Sequence, residues 1–152
     1  MANIPPVRID RIWKGLAPAQ GFAVATDFEC YPRIFPEITK VRILDTALDK
    51  KRVEFTLTLI VPLRYVLDLI CDAAANRVTW TFVEGDIITD NEGGWQFTAQ
   101  GEGTWVEYWV SVSAKSPFPD FVMRRVLDGL TTLSLPRMLD SIEREARSRP
   151  IE

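Results

Sequence analysis

Asp27-Phe28-Glu29-Cys30-Tyr31-Pro32-Arg33-Ile34-Phe35-Pro36 is the stretch that decides the fold. Proline lacks an amide hydrogen and disfavours helical geometry in the residue before it. Pro32 therefore interrupts, and Pro36 stops, a short helix over Phe28 to Phe35. Just upstream, Ala17 to Thr26 is Ala-rich, follows Gly15 and carries Pro18 at a first helical turn, which predicts a second short helix. Before that, Val7, Ile9 and Arg11 alternate with Arg8, Asp10 and Ile12, the pattern of a first strand.

Downstream of the stretch the period changes to two. Val53, Phe55, Leu57 and Leu59 alternate with Glu54, Thr56 and Thr58. The same alternation returns over Tyr65 to Asp72, Val78 to Phe82, Trp95 to Ala99 and Val106 to Ser113, after a first instance at Val41 to Ile43. Turn signals separate the runs at Asp49-Lys50-Lys51, Ala75-Asn76, Gly85-Asp86, Asn91-Glu92-Gly93-Gly94 and Gly101-Glu102-Gly103. Connections this short predict hairpins and an antiparallel meander.

The last third reads as helix. From Asp120 to Arg147 the breakers are Gly129 and Pro136, and apolar residues recur at helical spacing through Val122, Val126, Leu130, Leu133, Leu139 and Ile142. The segment would make about eight turns at ~3.6 residues each. Pro136 is expected to bend it. A sheet with one apolar face has to bury that face, and the final helix is the element long enough to cover it.

Composition narrows the chemistry. The chain has 152 residues, 47% hydrophobic and 26% charged, which predicts one domain over residues 1–152. Net charge is -3, from 18 basic and 21 acidic residues, so nothing draws it globally to phosphate backbones, and nucleic acid is not an expected partner. Histidine is absent, which removes the usual proton shuttle, the His-paired nucleophiles and the His-bearing zinc sites. Cys30 and Cys71 form no CxxC motif, and read either as buried thiols of a reducing compartment or as a bridge. No metal or cofactor is expected. Met1 to Asp10 lacks a signal peptide's apolar core, and Pro62, Arg64 and Asp68 break the longest apolar run, so a cytoplasmic location is expected.

The order strand, two short helices, meander, long helix resembles the helix-grip architecture of the START-like (Bet v 1-like) superfamily, which includes the polyketide cyclase/dehydrase and lipid-transport group. Asp27 to Pro36 is similar to the D-x-E-x-Y-P-x-F-x-P pattern of its coenzyme Q-binding, RatA-like and polyketide-cyclase branch, with Arg33-Ile34 where Glu-Phe is frequent. The resemblance implies an α+β fold in which a curved antiparallel sheet wraps around a long C-terminal helix. It also implies a hydrophobic cavity between the two. The superfamily holds carriers, receptors, cyclases and chaperone regulators, so fold alone does not fix one role.

Strand parity then names the candidate lining. Phe55, Leu57, Tyr65, Leu67, Trp80 and Phe82 turn inward from the earlier strands, with Trp95, Phe97 and Tyr108 from the later ones. Val126 and Leu130 face them from the helix. The same positions also suit a plain core. Tyr65 and Tyr108 stand out, because a buried hydroxyl needs a partner that a ligand oxygen, a water or a backbone carbonyl can supply. The inward set contains no obvious carboxylate or cation, Asp45 sharing the parity of Val41 and Ile43 but sitting near a strand end, so no catalytic residue is assigned. Trp105 and Trp109 fall on the outer face, as candidates for a homodimer or membrane-surface contact.

Three roles follow. The first is a carrier or sequestering protein for a lipid, quinone or polyketide-like molecule. The second is a polyketide aromatase/cyclase or dehydrase. The third is a protein-interaction module of the RatA-like type.

Overall fold

The computed structural model describes residues 2–58, 62–115, 119–128 and 135–150. β1 (Ala2–Lys14) leads into helix α1 (Pro18–Ala25), a 3-10 turn (Phe28–Cys30) and helix α2 (Tyr31–Ile34). Strands β2 (Ile38–Ala47), β3 (Lys50–Thr58), β4 (Pro62–Asp72), β5 (Arg77–Gly85), β6 (Ile88–Gln100) and β7 (Gly103–Ala114) follow. Helices α3 (Asp120–Asp128) and α4 (Leu135–Ser148) end the chain. The seven strands form one curved antiparallel sheet in the order β1-β7-β6-β5-β4-β3-β2. No described helix is long and apolar enough to cross a membrane.

The local signals act largely as the residue types dictate. Pro18 opens α1, and Gln20 reaches back so that its Oε1 accepts the Ala17 amide at 2.8 Å, satisfying a donor the helix start leaves unpaired. The helical reading of the last third holds over α3 and α4. Pro136 is the second residue of α4 as described. Gly129, Leu130 and Leu133, like Leu59, lie outside the described residues. Leu135, Leu139, Ile142 and Ala146 put the buried stripe of α4 at intervals of three and four residues. Leu139 and Ile142 are fully buried, each contributing about 1.5–3 kcal/mol.

One turn prediction is corrected. Asn91-Glu92-Gly93-Gly94 is not a turn but part of the 13-residue β6. Its glycines mark close approach, as isolated strand glycines do. A Cβ on Gly93 would stand 2.2 Å from the Trp109 carbonyl oxygen and 2.9 Å from the Trp80 ring. The true connection lies at Asp86, and the strands it joins are not fully zipped. β5 and β6 pair only from Arg77↔Gln96 to Trp80↔Gly93. Beyond Trp80, β5 follows β4, while the start of β6 follows β7.

The Asp27–Pro36 stretch fastens α4. Arg33 donates through both Nη atoms to the two oxygens of Glu145, at 2.8 and 2.7 Å. Arg149 donates to Glu145 at 3.0 Å and to Asp27 at 2.8 Å. Such forked pairs fix direction as well as distance. On the far side, Arg147 donates to the Lys14 carbonyl at 2.8 Å, tying α4 to the end of β1.

Two outcomes test this arrangement. Gly93→Ala is expected to cost about 2–3 kcal/mol, because the methyl meets backbone that cannot yield. The urea midpoint should fall with an unchanged m-value. The Arg33 hydrogen bonds hold the Glu145 carboxyl well below its ordinary value of 4.5, at about 2, despite its partial burial. A carboxyl lowered on folding stabilises fully above its unfolded value. Stability from Glu145 is therefore lost as pH falls from about 4.5 to about 2. Glu145→Gln should flatten that part of the acid-unfolding curve, and cost about 1.5–3 kcal/mol at neutral pH.

Candidate functional site

Where α4 faces the sheet, the interior is not filled. A cavity of about 70 Å³ remains. At 10–15 Å³ for each water it has room for roughly five. Phe55, Tyr65, Leu67 and Leu69 supply the β3–β4 wall. Trp80, Asn91, Trp95 and Tyr108 supply the β5–β7 wall, and Tyr31 of α2, Ile38 at the start of β2 and Met138 of α4 complete the lining. Cross-strand register explains the grouping. Phe55↔Tyr65 and Trp95↔Tyr108 are directly opposed pairs, so their rings meet on one face. Phe55 and Tyr65 stack at 5.6 Å between centroids, and Trp95 and Tyr108 pack tilted at 4.5 Å.

The polar atoms in this wall are few. Tyr31 spends its hydroxyl on the Ala25 carbonyl, anchoring the 27–36 stretch to α1. Asn91 Oδ1 accepts the Trp80 indole N–H at 3.0 Å. Among the described residues, the hydroxyls of Tyr65 and Tyr108 have no hydrogen-bond partner. Burial pushes both phenols far above their ordinary value, so both stay protonated across the biological pH range. They are donors, not bases. No carboxylate, ammonium or guanidinium stands among the described lining residues. This wall can therefore enclose an apolar body and offer it phenolic hydrogen-bond donors.

Of the residues chosen from sequence, Phe55, Tyr65, Leu67, Trp80, Trp95 and Tyr108 meet around the cavity. Leu57 and Phe97 are buried but away from it, Phe97 packing on Trp13 at 5.9 Å. Phe82 is half-buried beside Leu67. Val126 falls in α3, and Leu130 lies outside the described residues. Parity reasoning missed Asn91 because its neighbours look like a turn. Continuing the alternation backwards from Trp95 through Gly93 reaches it. Tyr31 and Met138 escape strand parity altogether, since both sit on helices.

The outer face carries its own pairings. Trp105 and Trp109 do face outward, each half-buried. Trp109 lies between Arg77 and Arg8, at 4.8 and 5.5 Å, and Trp105 donates to Asp10 at 2.9 Å. Glu107 is buried there under Arg8, which donates to it at 2.6 Å. Val66, outward by register, is nevertheless buried, between Glu54 and Glu84, which Arg64 bridges. Cys30 and Cys71 are free thiols.

Solved structures share this architecture. A protein of Thermus thermophilus is 21% identical, with 95% of this chain and 98% of that one covered and a TM-score of 0.83. The Zhui aromatase/cyclase of a Streptomyces species is 16% identical, over 95% of this chain and 96% of that one, with a TM-score of 0.80. A START superfamily protein of Mycobacterium smegmatis is 20% identical, over 93% and 97%, with a TM-score of 0.75. Sequence comparison with curated proteins finds no match. The family model described as polyketide cyclase / dehydrase and lipid transport matches residues 15–138, which include the Asp27–Pro36 stretch and every described residue of the cavity wall. The chain belongs to that family of helix-grip, small-ligand-binding proteins.

Proposed function

We propose that this protein holds a small apolar molecule bearing at least one acceptor oxygen, in the cavity between the sheet and α4, as a carrier or sequestering protein. The observation that carries the reading is the pairing of Tyr65 and Tyr108, two protonated phenols in an aromatic wall with no charged side chain among its described members. An apolar body gains about 25 cal/mol for each Å² removed from water. Its oxygen can accept from the phenolic hydroxyls of the wall. Lipids, quinones and polyketide-like molecules all fit that description. General acid–base chemistry finds no group here that titrates near neutrality.

A second reading is supported by the same donors. Two phenols aimed at one carbonyl polarise it, which favours enolisation and ring closure in a folded polyketone. The Zhui aromatase/cyclase shares the fold, and the family description includes cyclases. In that case the cavity orders a reactive chain and excludes water, while the substrate supplies the rest.

Menadione and methylnaphthalene separate an oxygen-directed site from a merely greasy one, since they share a shape and differ in carbonyl oxygens. Tyr65→Phe and Tyr108→Phe should each weaken menadione about fivefold, the equivalent of ~1 kcal/mol for a lost hydrogen bond. Methylnaphthalene should bind either variant much as it binds the wild type. Equal effects on both probes overturn the role of the hydroxyls. Native mass spectrometry of protein from its own source should show a co-purifying apolar ligand, recovered chemically unchanged by a carrier. Turnover of a model polyketone that both Tyr→Phe variants abolish favours the cyclase instead.

A further inference from the structure

The cavity wall holds one deeply buried polar side chain that is not a phenol. Asn91 is 8% exposed and lines the cavity with Trp80, Trp95 and Tyr108. It shares the inward parity of Gly93 and Trp95 on β6, and its partner across on β7, Val112, is buried too. Its Oδ1 accepts the Trp80 indole N–H at 3.0 Å. Among the described residues, Nδ2 bonds to no acceptor, and no side-chain nitrogen or oxygen is both sealed and without a partner. Nδ2 therefore keeps open surface, and the inward face on which Asn91 stands opens on the cavity.

The indole fixes which arm of the amide is offered. An indole nitrogen donates and cannot accept, so the atom it meets is the oxygen of Asn91 and not the nitrogen. Both residues are buried, and an indole N–H buried without an acceptor is costly, so the amide is not free to turn over. Gly93 makes the contact possible. It pairs with Trp80 across the ladder, and a Cβ there would stand 2.9 Å from the Trp80 ring. Tyr108 packs on the same ring at 5.8 Å. With Oδ1 taken, the amide presents N–H donors alone. Tyr65 and Tyr108 are less selective, because a hydroxyl both donates and accepts.

We infer that Asn91 is a specificity-determining residue of the cavity: held by Trp80 as a donor only, it favours occupants that bring a carbonyl-type oxygen to the β5–β7 wall over those that bring a donor there. The inference rests on the cavity being a ligand site. An acceptor at Nδ2 completes the hydrogen bonding of the amide. A donor set against it leaves two N–H groups facing each other, neither of them matched. Ketones, quinones and esters are thereby preferred to molecules of the same shape whose polar group is an N–H. Trp80 acts through Asn91, as a positioning residue.

The test compares bicyclic compounds of one size: 1-indanone, indane and indole bring an acceptor, no polar group and a donor respectively. Affinities come from NMR titration of the isotope-labelled protein. The wild type should bind 1-indanone about fivefold more tightly than indane, and indole no more tightly than indane. The side-chain amide resonances of Asn91 should move with 1-indanone and stay in place with indane. Trp80→Phe keeps an apolar ring and frees the amide to offer either arm, so the preference for 1-indanone over indole should fall at least about fivefold. Trp80→Phe combined with Asn91→Leu removes both partners and leaves neither buried alone. It should cut the preference for 1-indanone over indane about fivefold. Equal binding of all the compounds by the wild type, or preferences unchanged in either variant, overturns the role of Asn91 and leaves the cavity reading standing. Binding of none of these compounds by the wild type removes both.

Discussion

Glu145 sits where three parts of the chain meet, and its charge is the constraint that orders them. A carboxylate withdrawn from water is tolerated only when its oxygens are bonded. Here Arg33 takes both of them in a fork, and Arg149 carries the link on to Asp27. The two prolines around Arg33 keep that segment short and stiff. The consequence is directional. Once α4 is pinned at Glu145, its stripe of Leu135, Leu139 and Ile142 has one way to face, toward the sheet, and Met138 arrives over the cavity. The family-like stretch thus has a mechanical role in this chain. Arg33, where the resemblance led to an expected Glu, is the residue that makes the fork.

Much of this was legible in the residues. Alternation with period two identified which side chains share a face, because successive strand residues point to opposite sides whatever their neighbours do. Phe55, Tyr65, Leu67, Trp80, Trp95 and Tyr108 were found that way. Asn91 and Gly93 were hidden because glycine and asparagine signal turns on their own. Only the packing of Trp80 and Trp109 explains glycines in mid-strand. Alternation also could not distinguish wall from core. Leu57 and Phe97 have the right parity and yet pack elsewhere, since distance along a twisted strand, not face alone, decides what reaches the cavity. The ion pairs that place α4 join residues more than a hundred positions apart, where no spacing rule operates.

The chemistry of the site comes from what burial does to a phenol. Removing Tyr65 and Tyr108 from water disfavours their ionised forms, so they can give a hydrogen bond and cannot take a proton. A wall built this way is suited to recognition of an oxygen atom in apolar surroundings. The absence of histidine from the chain closes the usual alternative. The carrier and cyclase readings proposed above invoke the same two donors and differ in what the occupant brings.

The unzipped stretch of β5 and β6 has a mechanical meaning. Asp86 ties the tip of β5 to Arg64 of β4, whereas Ile87 accepts a bond from Lys115 beyond β7. The sheet thus behaves as two stiff panels joined by a short hinge of paired residues from Arg77 to Trp80. Panels joined in this way can spread without sacrificing a ladder in either one. Enlarging the interior then takes the bending of one seam and not the melting of a wall.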